Sequence, residues 1–192
     1  TGSEPEYTFF VKVAFPVENF GGSFSSMLTG LLGNDVSTSL QVKLVDIEFT
    51  SKAAVKMGYK KKKQAPIEKL RTITGVTGRP LILNMIKPCV GFSPDTGAGF
   101  FKEVALGGAD LIKDDELLTS PEYSPVEKRV EAYQKAAKEA FEKTGKYTTY
   151  MPNVTDRPQK MREHVKNIID LGAKACLINF VFTGMDAFAE IC

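Results

Sequence analysis

From residue 81 onward, short apolar runs of strand length alternate with longer stretches in which apolar side chains recur every three or four positions. The short runs, 81–87, 109–113, 147–151 and 175–181, predict β-strands; the periodic stretches 96–106, 125–143 and 158–171 predict helices. Gly107, Gly145 and Gly172 follow those helices and are expected to release the chain into the next strand. Strands alternating with helices imply a parallel sheet with right-handed crossovers. Along 125–143, Val126, Val130, Tyr133, Ala137, Ala140 and Phe141 form one stripe, while Glu127, Lys128, Glu131, Lys135 and Lys138 face away. Ser124 is the expected cap of that helix, with Pro125 at its first position and Glu127 at its third.

Before residue 80 the pattern changes. Residues 8–15 read as a strand of mixed alternation, 24–32 as a short helix, and 41–49 as a cleanly alternating strand with Val42, Leu44 and Ile47 or Phe49 available for burial. These elements predict an α+β layer of ferredoxin-like type over residues 1–78. A polar, lysine-rich connection (57–64) and a short helix (67–73) lead to Gly78, Arg79 and Pro80, and the domain boundary is expected near Gly75–Arg79. Residues 79–192 then hold four βα units, half of what a closed (β/α)8 barrel needs to cover both sheet faces. The chain is therefore expected to be incomplete, a partial α+β domain followed by the first half of a TIM barrel. A complete small α/β domain would instead leave the apolar run CLINFVF at an open sheet edge.

Composition narrows the partners. The chain has 192 residues, of which 43% are hydrophobic, enough for a packed core. Its 25 basic and 23 acidic residues give a net charge of only +2, so no global field draws nucleic acid or a membrane surface. Cys89, Cys176 and Cys192 form no CxxC pair and leave one thiol over in any pairing, which suits a reducing, cytoplasmic setting. No apolar run approaches the ~20 residues of a bilayer span, and the start TGSEPEY has neither the basic nor the apolar region of a signal peptide.

Chemistry concentrates in residues 107–116, GGADLIKDDE. The apolar run ends in Lys113, Asp114, Asp115 and Glu116, at the strand-to-loop edge where parallel α/β proteins carry their reactive groups. Side chains two apart share a face, which puts Lys113 with Asp115, sends Asp114 to the other face and leaves Glu116 at the turn. Lys113, Asp115 and Glu116 can therefore converge. Two carboxylates are hard donors suited to Mg²⁺, but an ammonium beside them repels the metal. Carbamylation of Lys113 by CO₂ removes the conflict, because a carbamate is anionic and offers oxygen.

IKPCVG (residues 86–91) followed by GGADLIKDDE resembles the two signature segments of the RuBisCO large-chain superfamily, and the resemblance extends over nearly the whole chain. It implies that Lys113 is carbamylated and, with Asp115 and Glu116, binds Mg²⁺. It implies further that Asn34, at the end of TGLLGN, contacts substrate in the neighbouring subunit's site, across a homodimer with shared active sites. Asn153, in YMPNVT, sits in family order as a substrate-binding residue. Lys87 matches the first lysine of the carboxylases' KPKxG segment, which contacts substrate and moves protons; the second is Cys89 here. That departure, with the closer likeness of FPVENFGGSF and VKLVDIEF, points to the RuBisCO-like proteins, which do not fix CO₂.

The implied activity is enolisation or isomerisation of a phosphorylated keto-sugar, of methionine-salvage or sugar-acid type. Alternatives are a β-keto-acid sugar phosphate decarboxylase, a ribulose-bisphosphate carboxylase, and a non-catalytic RuBisCO-like scaffold. In the methionine-salvage enolases a loop lysine is the base; aligning IEKLR places Gln64 there, with Lys63 one residue away. The base is thus Lys63, Lys87 or another group. His164, the only histidine, lies among charged helix residues and is expected to be structural. Residues 91–99, GFSPDTGAG, lack both the P-loop lysine and GxGxxG spacing, so they read as an ordinary βα loop.

Overall fold

The computed structural model describes residues 7–33, 42–58 and 66–191. The chain divides into two compact units, Thr1–Lys61 and Lys62–Cys192.

In the first unit a 3₁₀ turn, Val17–Phe20, precedes helix α1, Phe24–Leu32, whose first turn is capped by the Ser23 hydroxyl accepting from Ser26 N–H at 3.0 Å. A second helix, α2 (Ser51–Lys56), was not expected; Thr50, which accepts from Ala53 N–H at 3.2 Å, is its sequence signal. Val17, Met27 and Met57 are the buried centre, packed by Phe20, Phe24, Leu28, Leu31 and Ala53. The two expected strands are absent among the described residues. Residues 8–15 and 42–49 carry no backbone ladder, although the Lys12 ammonium reaches the Glu48 carboxylate from one segment to the other. Phe9, Phe10, Val11 and Val13 are all exposed, so neither alternate face is buried and nothing fixes a register.

The second unit opens with α3, Pro66–Thr74. This helix belongs with the sheet-bearing unit, ahead of the boundary expected near Gly75–Arg79, because the Arg71 guanidinium donates to the carbonyls of Val76 and Arg79, both at 3.0 Å. Strands β1 (Leu83–Met85), β2 (Leu111–Lys113) and β3 (Thr149–Met151) form one parallel sheet in that order. Helices α4 (Pro94–Leu106), α5 (Val126–Thr144) and α6 (Pro158–Asp170) come after them in turn, within two residues of the expected ends. The register sets Met85, Lys113 and Met151 side by side, and Asn84, Ile112 and Tyr150 side by side on the opposite face. At the starting edge of β2, Arg79 grips Asp110 with a two-pronged bond of 2.6 and 2.7 Å, and Asp110 also accepts from Ile82 N–H at 2.8 Å.

The fourth expected strand, 175–181, is reduced to a single bridge between Asn153 and Leu177. Pairing stops because the next available N–H, that of Asn179, goes to the Thr155 hydroxyl at 2.9 Å, and the chain turns into α7 (Phe180–Thr183) and α8 (Met185–Ile191). Two local expectations on α5 also change. Pro125 occupies the cap position; Ser124 is buried without capping, and Ser120 Oγ instead accepts from Val126 N–H at 3.1 Å. Phe141 is exposed against Tyr147, and the buried stripe takes in Arg129 alongside Val126, Val130, Tyr133, Ala136, Ala137 and Ala140.

Between sheet and helices, Phe101, Tyr133 and Tyr150 stack with ring centroids 4.6–5.8 Å apart, at the centre of the larger core. Helix α4 approaches closely only because residue 97 is glycine: a Cβ there would lie 1.9 Å from Tyr133 Oη. Beside this cluster Arg129, wholly buried, meets Asp114 at 3.1 Å, with both side chains 0% exposed.

Removing one partner of a buried ion pair leaves the other charge uncompensated and costs about 3–5 kcal/mol. Arg129→Met is therefore expected to lower unfolding free energy by about that amount, measured by urea denaturation, and Arg129→Met with Asp114→Leu to recover most of it. A single variant as stable as the parent would remove this pair from the account of the fold.

Candidate functional site

The site forms where the three strands end. Lys113 closes β2 on the face shared with Met85 and Met151; its ammonium lies 2.5 Å from Glu116 Oε1, 3.2 Å from Met85 Sδ and 3.3 Å from the Asp114 carbonyl. Lys87 continues the same face beyond β1. Its ammonium donates to Asp115 Oδ2 at 2.5 Å and to Cys89 Sγ at 3.2 Å. Strand alternation thus brings Lys87, Lys113, Asp115 and Glu116 to one mouth as two ammonium–carboxylate pairs. Asp114 turns the other way, as expected from its position between Lys113 and Asp115.

Each partner holds the other's charge. The hydrogen bond from Lys87, then that from Leu117 N–H, lowers the Asp115 carboxyl below the usual carboxylate value. In return Asp115, then Cys89, pushes Lys87 up to about 12. The Lys113 ammonium lowers Glu116 in the same way. Asp115 is almost wholly buried while half of Glu116 is exposed, so the cluster opens to solvent on the Glu116 side.

The loop that carries the two carboxylates is held from behind. Tyr150 donates its hydroxyl to both Asp114 oxygens at 2.8 Å, and Asn153 N–H donates to Oδ2 at 2.9 Å. Burial raises the Asp114 carboxyl above its usual value in spite of Arg129, and burial, then the Asp114 charge, raises the Tyr150 phenol, which stays a donor. Arg129 extends to the carbonyls of Ser124, Leu118 (3.4 Å) and Thr119 (2.5 Å), gathering the whole stretch between β2 and α5. Asn153, fully buried, directs its amide to the carbonyls of Asp115 (3.2 Å) and Glu116 (3.0 Å) and accepts from Thr155 N–H at 3.1 Å.

Asn34, Lys63 and Gln64 lie outside the described residues. His164 sits away from the mouth, bridging Glu127 at 2.7 Å and Asp156 at 3.4 Å between helices α5 and α6. Sequence reasoning missed Arg129, Tyr150 and Asn179, whose amide donates to the Glu116 carbonyl at 3.0 Å. Arg129 gave one signal, a charged residue on the apolar stripe of its helix.

Among the described residues no three His, Cys, Asp or Glu side chains gather as a ready metal cluster. Asp115 and Glu116 supply hard oxygens, and each is neutralised by a lysine. The donor set fits a hard divalent cation once Lys113 carries oxygen in place of its ammonium.

The family model for the ribulose bisphosphate carboxylase large chain, catalytic domain, matches residues 66–191. The chain belongs to the RuBisCO large-chain family. It stands with the RuBisCO-like proteins: the ribulose bisphosphate carboxylase-like protein of Archaeoglobus fulgidus is 43% identical over 176 residues, covering 92% of this chain and 39% of that protein. The 2,3-diketo-5-methylthiopentyl-1-phosphate enolase of Geobacillus kaustophilus is 34% identical over 184 residues, covering 94% of this chain and 43% of the enolase. The crystal structure of the RuBisCO-like protein MtnW from Alicyclobacillus acidocaldarius superposes with a TM-score of 0.79 at 31% identity, over 92% of this chain and 43% of that one. The fold is thus the RuBisCO-type α/β fold, and this RuBisCO-like chain spans about two fifths of the length of these relatives.

The Lys87–Asp115 pair has a defined pH window. Lys87 is raised, so its share of stability is full below 10.5 and lost as pH rises through about 12. Asp115 is lowered, so its share is present above 3.8 and lost as pH falls through its depressed folded value. Carboxyl titration by ¹³C NMR is expected to find Asp115 below the free value in the parent and shifted upward in Lys87→Met; equal values in the two proteins would remove the pair.

Proposed function

We propose that the full-length protein is a Mg²⁺-dependent enolase or isomerase acting on a phosphorylated keto-sugar, of methionine-salvage or sugar-acid type, without efficient CO₂ fixation. The observation that carries this reading is the convergence of Lys113, Asp115 and Glu116 at one strand edge with Lys87 beside them and a thiol, Cys89, as Lys87's other neighbour. The likeness to 2,3-diketo-5-methylthiopentyl-1-phosphate enolases supports the same class.

Lys113, taking CO₂ as a carbamate, would hold Mg²⁺ together with Asp115 and Glu116. Bound there, Mg²⁺ supplies Lewis-acid polarisation of a substrate carbonyl, which acidifies the neighbouring C–H. Lys87 stands beside these ligands, where it can contact the substrate's oxygens. Held by Asp115 it stays protonated at neutral pH, a proton donor and positive charge; as base it must first leave that carboxylate. Lys63, which precedes α3 in the sequence, is the other candidate base. Carboxylation is the weaker enzymatic reading, because Cys89, which carries no cationic group, stands where the carboxylases place a second cation. A β-keto-acid decarboxylase would use the same enolate chemistry.

The remaining expectations belong to the same proposal. The unit Thr1–Lys61 belongs to a partial N-terminal domain and the unit Lys62–Cys192 to the first half of the barrel. The protein is a homodimer with shared sites, each completed by the partner's copy of the Asn34 segment. It works in the cytoplasm; among the described residues no helix is long and apolar enough to cross a membrane.

Two outcomes are expected of the full-length protein. With Mg²⁺ and CO₂ it exchanges a substrate α-proton for deuterium in D₂O, and it incorporates no labelled CO₂ into ribulose bisphosphate. Lys113→Ala abolishes that exchange while thermal unfolding stays cooperative. Exchange undiminished in CO₂-depleted buffer or in Lys113→Ala would overturn the carbamate assignment, and no exchange with any of a panel of keto-sugar phosphates would favour the non-catalytic scaffold.

A further inference from the structure

The loop from Asp114 to Leu118 must present two carboxylates to Lys113, yet it contains no strand or helix that would fix it there. What fixes it comes from the far side of the next two βα units. The Asn153 amide donates both its hydrogens to the main chain of this loop, at the carbonyls of Asp115 and Glu116, 3.2 and 3.0 Å away. Asn179 Nδ2 donates to the same Glu116 carbonyl at 3.0 Å. The two asparagines are themselves tied together: Thr155 N–H donates to Asn153 Oδ1 at 3.1 Å, and Thr155 Oγ1 accepts from Asn179 N–H at 2.9 Å. Inside the loop, Asp115 Oδ1 accepts from Leu117 N–H at 2.9 Å, and the Asp115 carbonyl accepts from Leu118 N–H at 3.1 Å.

We infer that Asn153 and Asn179 are positioning residues for the carboxylates of Asp115 and Glu116, clamping the main chain of both from behind. This deepens the proposed function and rests on its metal site. An asparagine amide has two donors and one acceptor oxygen. In Asn153 both donors and the oxygen are engaged with main-chain groups, and the side chain is fully buried. It therefore acts on the site through the loop rather than by contact with substrate, which revises the substrate-binding part expected of it from the family resemblance.

The Glu116 carbonyl accepts from both asparagines, while its carboxylate, half exposed, is paired with the Lys113 ammonium. With the main chain held, the clamp sets where the carboxylate starts, and its final angle is left to the ligand once Lys113 gives up its ammonium. Groups that orient metal ligands in this way typically change metal affinity by about 10–100-fold when removed.

The test uses the full-length protein with bicarbonate and Mn²⁺ as the probe, free Mn²⁺ being read by electron paramagnetic resonance. Asn153→Ala is expected to weaken Mn²⁺ binding by about 10–100-fold and to speed amide exchange at Leu117 and Leu118 in the metal-free protein. Asn179→Ala, a partly exposed site that gives up a single side-chain bond, is expected to shift both readouts in the same direction by less, and it remains informative if Asn153→Ala fails to fold. A folded Asn153→Ala or Asn179→Ala that binds Mn²⁺ as tightly as the parent, where Asp115→Asn does not, overturns the clamp and leaves the proposed metal site standing. A parent protein that binds no Mn²⁺ with bicarbonate present overturns both.

Discussion

The arrangement depends on one costly interaction, the ion pair of Arg129 and Asp114 in a place with no water. Both side chains are 0% exposed, and taking each ion out of water costs several kcal/mol. The pair alone does not offset that; the neighbouring dipoles do. Tyr150 and the Asn153 N–H complete the carboxylate, while carbonyls of Leu118, Thr119 and Ser124 complete the guanidinium. These partners come from the end of β2, the loop after it, α5, β3 and the turn beyond β3. No subset satisfies both charges, so the segments are held in one mutual arrangement or the charges are left bare.

That constraint reaches the opposite face through strand geometry. Asp114 can point at Arg129 only if Lys113 and Asp115 point the other way, because neighbouring side chains on a strand alternate. A slip of one residue would carry Asp114 to the mouth and drop Lys113 among the aromatic rings of Phe101, Tyr133 and Tyr150. The buried pair therefore works as a register pin for the site. Arg79 and Asp110 do a comparable job at the other end of β2, where the bonds tie strand entries together and carry no chemistry.

Much of this was legible in the sequence. The alternation within LIKDDE sorted Lys113, Asp115 and Glu116 from Asp114, and the helix periods placed α4, α5 and α6. What escaped did so for identifiable reasons. Arg129 looked like one more charge on a charged helix, because its value depends on Asp114 and Tyr150, 15 and 21 residues away in sequence. Asn179 followed an apolar run read as strand through residue 181, and nothing local revealed that its backbone N–H would be taken by Thr155. At the N-terminus, alternation predicted strands at 8–15 and 41–49, but alternation becomes a strand only where a partner supplies hydrogen bonds and a cover for one face. Ser124 failed as a cap because Pro125 took that position and Arg129 took its carbonyl.

The charges at the mouth explain why CO₂ and metal belong together in the proposed chemistry. Lys87 and Lys113 balance Asp115 and Glu116, so the resting cluster is neutral and offers a divalent cation no net attraction. Carbamylation would reverse the sign at Lys113, leaving Lys87 as the remaining cation of the four and the cluster with an excess of negative charge matching the positive charge of a divalent ion. A second lysine at position 89 would offset part of that excess; the Cys89 thiol does not. The absence of a lysine at position 89 leaves the field at the mouth more negative, which would favour metal retention. On the proposed function, such a mouth would suit enolisation, where a single Lewis acid beside a proton carrier is sufficient, better than the further steps of carbon fixation.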